Sequence, residues 1–250
     1  MQLNPVVAEG VRLVIFDLDG TLIDTLSGIT NVFLDLCPQV RSALGIQDDR
    51  SSSRFEDQAR SQVHSMIGES LETMLSRVFN LPVDQVKNLK LIEMYQAEFR
   101  KQISSQAPEL LYAGVREGLQ QLREMSIELA VATNKFQSSA EDLLTQAGIR
   151  SYFKKVIGAD RVTRPKPDPE MGQKLLQEFQ VSPENVLMVG DTQNDLLMAQ
   201  SLGVASIAVT YGVQSKEQLS VFEPEFFANS FSDVVFRVQK QFNLSDLQVG

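Results

Sequence analysis

Short, nearly continuous apolar runs recur along this chain, and stretches of helical spacing separate them. The first run is residues 11–16 (VRLVIF), which stops at Asp17 and Gly20. Residues 127–133, 154–160, 185–191 and 204–210 repeat the pattern. Runs of this length predict strands buried on both faces, as in a parallel sheet. Residues 114–125 and 137–147 carry apolar positions at helical spacing, and Gly148 follows the second as a stop signal. Residues 170–179 and 196–202 read the same way, with Gly203 after the latter. Strand and helix alternating in this manner predict an α/β fold, a Rossmann-like parallel sheet.

One interval breaks the rhythm. A parallel crossover needs a dozen or so residues, yet more than 100 separate the first run from the second. Residues 26–36, 71–79 and 84–103 within it read as helices, and none reads convincingly as a strand. The expected organisation is therefore a core of residues 1–22 and 108–250, interrupted by a helical cap at 23–107. Residues 47–62 are polar and Ser-rich, and read as a flexible loop or a charged helix end. The last residues, 243–250, read as a frayed tail.

Composition restricts the chemistry. The chain has 250 residues, 43% of them apolar and 22% charged, which is ordinary for a globular protein. With 23 Lys and Arg against 32 Asp and Glu, the net charge is −9. That balance, with no Lys/Arg run, argues against nucleic acid and against a membrane surface as partners. No stretch approaches the roughly 20 apolar residues that span a bilayer, and no targeting segment stands out, so a cytoplasmic protein is expected. A single cysteine, Cys37, and a single histidine, His64, exclude an internal disulfide framework and any two-histidine site within the chain. The chemistry falls to carboxylates, hydroxyls, lysines and a hard cation.

Ligands of a parallel α/β sheet collect at the C-terminal strand ends, and there the polar residues form a set. The first strand ends in Asp17-Leu18-Asp19-Gly20-Thr21, whose two acids can address one spot. At about 4 Å and an effective dielectric of about 20, they repel by roughly 4 kcal/mol. A shared proton or a cation between them relieves this. Asp191 and Asp195 close the fourth strand. Converging carboxylates without paired histidines specify an oxygen-loving cation, Mg²⁺ first. Thr133-Asn134-Lys135 ends the second strand, and the proline-stiffened loop 164–169 (RPKPDP) carries Lys166. Carboxylates, a cation, a hydroxyl and a lysine suit phosphoryl transfer. An aspartate can take the phosphoryl group, and a second acid can protonate the leaving alkoxide and then activate water.

DLDGT, TNK, RPKPDP and GDTQND, in that order and spacing, resemble the haloacid dehalogenase superfamily, and most of all its phosphatases of the phosphoglycolate group. The resemblance covers nearly the whole chain and implies Asp17 as nucleophile and Mg²⁺ ligand. It implies Asp19 as acid/base, with its main-chain carbonyl on the metal. Thr133 and Asn134 would hold the phosphate, Lys166 would offset its charge, and Asp191 and Asp195 would serve the metal. The implied activity is hydrolysis of a small phosphorylated metabolite, 2-phosphoglycolate first. A sugar-phosphate mutase, an inorganic pyrophosphatase and a catalytically silent binding protein are the alternatives. Ala113 and Phe136 stand where the family commonly has prolines, and neither departure carries chemistry. Gly68-Glu69 stands either at a helix start or at the cap's specificity loop. Asp24 reads as a helix-start acid, Cys37 as a small buried apolar residue, His64 as a cap surface or core residue, and the phenylalanines of 222–231 as core.

Overall fold

A computed structural model describes residues 10–45, 52–103 and 106–246. Six strands form one parallel sheet: β1 (Leu13–Phe16), β2 (Glu128–Ala132), β3 (Lys155–Ile157), β4 (Val186–Gly190), β5 (Ala205–Val209) and β6 (Phe226–Ala228). Their order is β3-β2-β1-β4-β5-β6. The chain builds outward from β1 on one side, then crosses over and builds outward from β4 on the other. That reversal leaves a crevice beyond the ends of β1 and β4, where α/β sheets bind ligands.

Alternation sorts the strand side chains onto two faces. Val14 and Phe16 of β1, with Val131, Val189 and Ile207, face one core cluster. Helices α6 (Val115–Glu124), α7 (Gln137–Gln146) and α11 (Phe231–Asp246) cover that face. Leu13 and Ile15, with Ala130 and Met188, face the other cluster, covered by α8 (Glu170–Phe179) and α9 (Gln193–Leu202). Coverage on both sides explains why the strands read as unbroken apolar runs. Phe231 is buried and stacks on Phe16 with ring centroids 5.8 Å apart.

Five helices fill the interval after β1: α1 (Leu26–Ala43), α2 (Ser52–Met66), α3 (Leu71–Val78), α4 (Val83–Asn88) and α5 (Leu91–Ile103). A further short helix, α10 (Lys216–Ser220), follows β5. The structure decides or corrects the sequence reading in five places. The polar segment expected as a loop or charged helix end contributes to α2, whose sparse apolar positions Ala59, Val63 and Met66 recur every three or four residues and are buried; residues 47–51 of that segment lie outside the described residues. The single helix expected over 84–103 is two, because Lys90 turns through a left-handed conformation at φ 52°. Helix α1 continues through Pro38 to Ala43. Strand β6, which has three residues, had no counterpart in the sequence reading. Residues 243–246 of the expected tail belong to α11, and 247–250 lie outside the described residues. Among the described residues, no helix is long and apolar enough to cross a membrane.

Candidate active site

Asp17 follows β1 directly and is buried. Asp191 follows β4, the neighbouring strand, and is fully buried. Asp195 lies one turn into α9, also fully buried. One carboxylate oxygen from each of the three lies within 4.8 Å of the others. The turn after β1 makes that approach possible. Gly20 has φ +86°, and a methyl group there would collide with the Asp191 carboxylate.

Lys166 enters this acidic cluster as its counter-charge. Its Nζ lies 2.8 Å from Asp17 Oδ1 and 2.6 Å from Asp195 Oδ1, with 2% of the side chain exposed. Burial pulls the ammonium pKa down, but Asp17 and Asp195 outweigh it and hold the pKa above the ordinary lysine value. One cation does not satisfy three acids. Burial pushes Asp17 up to about 7, helped by Asp195 and opposed by Lys166. Burial also raises Asp191 well above the usual carboxylate range, with Asp17 and Asp195 adding to the shift. Thr21 Oγ1 donates to Asp191 Oδ1 at 2.8 Å, and the Val213 amide donates to Oδ2 at 2.8 Å. Asp195 has a second duty. Its Oδ2 accepts from the amide and the hydroxyl of Thr192 at 3.0 and 2.8 Å, which fixes the start of α9.

Asp19 stands apart from this cluster. Its carboxylate accepts from Thr25 Oγ1 at 2.6 Å and from Lys135 Nζ at 3.1 and 3.2 Å. Lys135 also lies 4.0 Å from the centroid of the Phe99 ring, a cation–π contact from the core to the cap. Thr133 is buried at the end of β2, and its Oγ1 accepts from the Lys135 amide at 3.2 Å. A single cavity is lined by Asp17, Asp19 and Thr133 from the sheet end, and by Ile67–Glu69, Met74, Tyr95 and Phe99 from the cap helices and their connections.

Asn134 sits at the same rim, where its amide serves the architecture. Nδ2 donates to the carbonyls of Gly68 at 2.7 Å and Lys166 at 2.8 Å, and Oδ1 is buried without a hydrogen-bond partner. Asn194 Nδ2 donates to the same Gly68 carbonyl at 3.0 Å. Two core asparagines thus clasp one main-chain oxygen of the cap. Gly68 adopts φ +96° and packs on Thr192, so a side chain there is disfavoured both by conformation and by space. Asn194→Ala is expected to lower kcat/KM about three- to tenfold while moving Tm by less than about 4 °C, since it removes one partly exposed hydrogen bond. Steady-state kinetics beside a thermal melt check this; unchanged kinetics would show that the clasp has no part in turnover.

The matching family is now decisive. Residues 14–209 match the haloacid dehalogenase-like hydrolase family. The chain belongs to that family. A protein named "Probable phosphatase IndB" from Dickeya dadantii is 41% identical to this hydrolase over 95% of the chain and 98% of its own length. A protein named phosphoglycolate phosphatase from Vibrio parahaemolyticus is 32% identical over 91% and 96% respectively. A solved structure, the β-phosphoglucomutase of Clostridium difficile, shares the fold with a TM-score of 0.73 at 19% identity, covering 95% of the hydrolase and 99% of that chain.

Thr21, Thr25, Lys135 and Asn194 had no assigned role in the sequence reading. Thr21 and Lys135 lie inside the DLDGT and TNK motifs, so a signal existed; Asn194 lies inside GDTQND. Of the other residues singled out, Asp24 and His64 are exposed and outside the cavity, while Cys37 is buried in α1. Phe136, to which the sequence reading gave no chemistry, lines the cavity.

Proposed function

We propose that this hydrolase, a phosphatase by its family and its relatives, is a Mg²⁺-dependent phosphomonoester hydrolase that works through an aspartyl phosphate on Asp17. The observation that carries the reading is one buried lysine between two of three convergent carboxylates, of which Asp17 also lines the cavity between the sheet end and the cap. Three carboxylate oxygens so close, two of whose acids burial makes reluctant to ionise, fit a hard divalent ion. Asp17, Asp191 and Asp195 would hold it, with the main-chain carbonyl of Asp19 as a further ligand. Bound Mg²⁺ would supply positive charge against the phosphoryl oxygens.

The protein groups divide the remaining work. The Asp17 carboxylate attacks phosphorus, forming an O–P bond as the bond to the alcohol oxygen breaks. Asp19 gives that oxygen its proton. Asp19 then takes a proton from water as the water attacks the aspartyl phosphate, which releases phosphate and restores Asp17. Lys166 offsets charge on the transferring group and Thr133 orients it, while the Asn134 amide, committed to the Gly68 and Lys166 carbonyls, holds the cap connection and the lysine loop in place instead of the phosphate. Thr25 and Lys135 hold the Asp19 carboxylate at the cavity floor. Cap closure excludes bulk water from the first step.

The substrate is a small phosphorylated metabolite, and 2-phosphoglycolate, named in the 32%-identical relatives, is the reference ester for the assay. Phosphate release from 2-phosphoglycolate, pyrophosphate, hexose 1-phosphates and nucleotides tests the reading. Hexose 1-phosphate converted to its isomer without phosphate release would identify a mutase instead. EDTA is expected to reduce turnover by at least about 100-fold, and excess Mg²⁺ to restore it. Full activity in EDTA after exhaustive dialysis would overturn the metal requirement.

A further inference from the structure

Within that phosphatase reading, we propose that the cap wall selects phosphate esters of uncharged alcohols with an apolar or aromatic body, and disfavours alcohols that carry a carboxylate. The cavity has two chemically different sides. The sheet side supplies the phosphoryl machinery, so the alcohol extends towards the cap. Among the described residues that line the cavity, the cap contributes one charge, the carboxylate of Glu69. The other described cap residues of the lining are apolar or neutral. Tyr95 and Phe99 stack on each other with ring centroids 5.9 Å apart, and Ile29, Met74 and Gln96 flank them. Phe136 adds a half-buried aromatic ring from the core side.

A carboxylate on the alcohol needs a cation or amide donors to replace its lost water. Among the described lining residues the one cation is Lys135, and both oxygens of Asp19 already lie within 3.2 Å of it. Pulling Lys135 away would also release the Asp19 carboxylate from its place. Glu69 would meet a carboxylate with like-charge repulsion, strengthened by the apolar wall behind it. An uncharged alcohol escapes both penalties. Its apolar face packs on Tyr95, Phe99 and Phe136, and Gln96 and Glu69 remain as acceptors for its hydroxyl or amide hydrogens.

The test uses the full-length protein with Mg²⁺ and a matched pair of esters, benzyl phosphate and 2-phosphoglycolate. Benzyl rather than phenyl phosphate keeps an alkoxide as the leaving group in both. We expect kcat/KM for benzyl phosphate to exceed that for 2-phosphoglycolate by about tenfold or more. Glu69→Lys is expected to narrow that ratio by about fivefold or more, mainly through a lower KM for 2-phosphoglycolate. A wild-type preference for 2-phosphoglycolate, or a ratio unmoved by Glu69→Lys, would overturn this proposal and leave the phosphatase reading standing. Absence of phosphate release from every ester would overturn both.

Discussion

Asp17→Asn is expected to abolish Mg²⁺-dependent phosphate release, by at least about 10³-fold in kcat, because the amide cannot form the acyl phosphate. The same change is expected to make the metal-free protein more stable at pH 8. Burial raises the folded-state pKa of Asp17 from 3.8 to about 7. A folded acid with a raised pKa contributes stability that is fully present below its unfolded pKa and is lost as pH rises through the folded one. Between about pH 4 and pH 7 the metal-free protein therefore loses stability at this site, and above pH 7 the loss is complete. Each pKa unit corresponds to about 1.4 kcal/mol, so removing the charge returns roughly 1–4 kcal/mol, or about 2–16 °C in Tm. Lys166 keeps Asp195 as its partner at 2.6 Å throughout. Melting curves in EDTA at pH 5 and pH 8 check the sign. A variant less stable than wild type at pH 8 would show that the aspartate is retained for the fold.

Lys166→Ala is expected to harm the protein in two separable ways. Turnover should fall about 10²- to 10³-fold, as for the loss of one preorganised charge facing a transition state. Stability should fall as well, since the ammonium lies within 2.8 Å of Asp17 and Asp195, both buried. Leaving a buried charge uncompensated costs about 3–5 kcal/mol. The stability loss should shrink as pH falls, because protonation of the carboxylates removes the repulsion that the lysine had offset. Added Mg²⁺ should restore part of the stability by taking the place of the missing charge. Melting at pH 6 and pH 8, with and without Mg²⁺, separates these contributions. Near-normal kcat in the variant would assign the catalytic charge to Lys135 instead.

The sheet was legible because burial on both faces leaves a plain mark, a short apolar run closed by polar residues. The acids at those closures were legible for the same reason: Asp17 and Asp191 are the first polar residues after β1 and β4. What the sequence hid was governed by distant or weak determinants. Helix α2 runs through a polar, Ser-rich stretch with few apolar positions, of which Ala59, Val63 and Met66 are buried. The break before α5 falls at Leu89-Lys90, with no glycine or proline to announce it. The Lys135–Asp19 pair spans 116 residues of sequence, and no local pattern encodes such a pairing. The exposure of Glu69 to the cavity depends on how the cap sits on the sheet end, which no periodicity reports.

The clasp on Gly68 has an evolutionary side. The atom that Asn134 and Asn194 hold is a peptide oxygen, which every residue type supplies. Position 68 is restricted to glycine by its φ of +96° and by Thr192, but the other cap positions that line the cavity are free of that restriction. Docking of the cap through this contact is thus separate from the side chains that line the cavity. If the cavity wall reads the alcohol as proposed, a descendant of this chain can exchange Glu69, Met74 or Gln96 to recognise a different one while the cap stays docked through the same oxygen, so new substrates can be acquired without rebuilding the contact that holds cap to core.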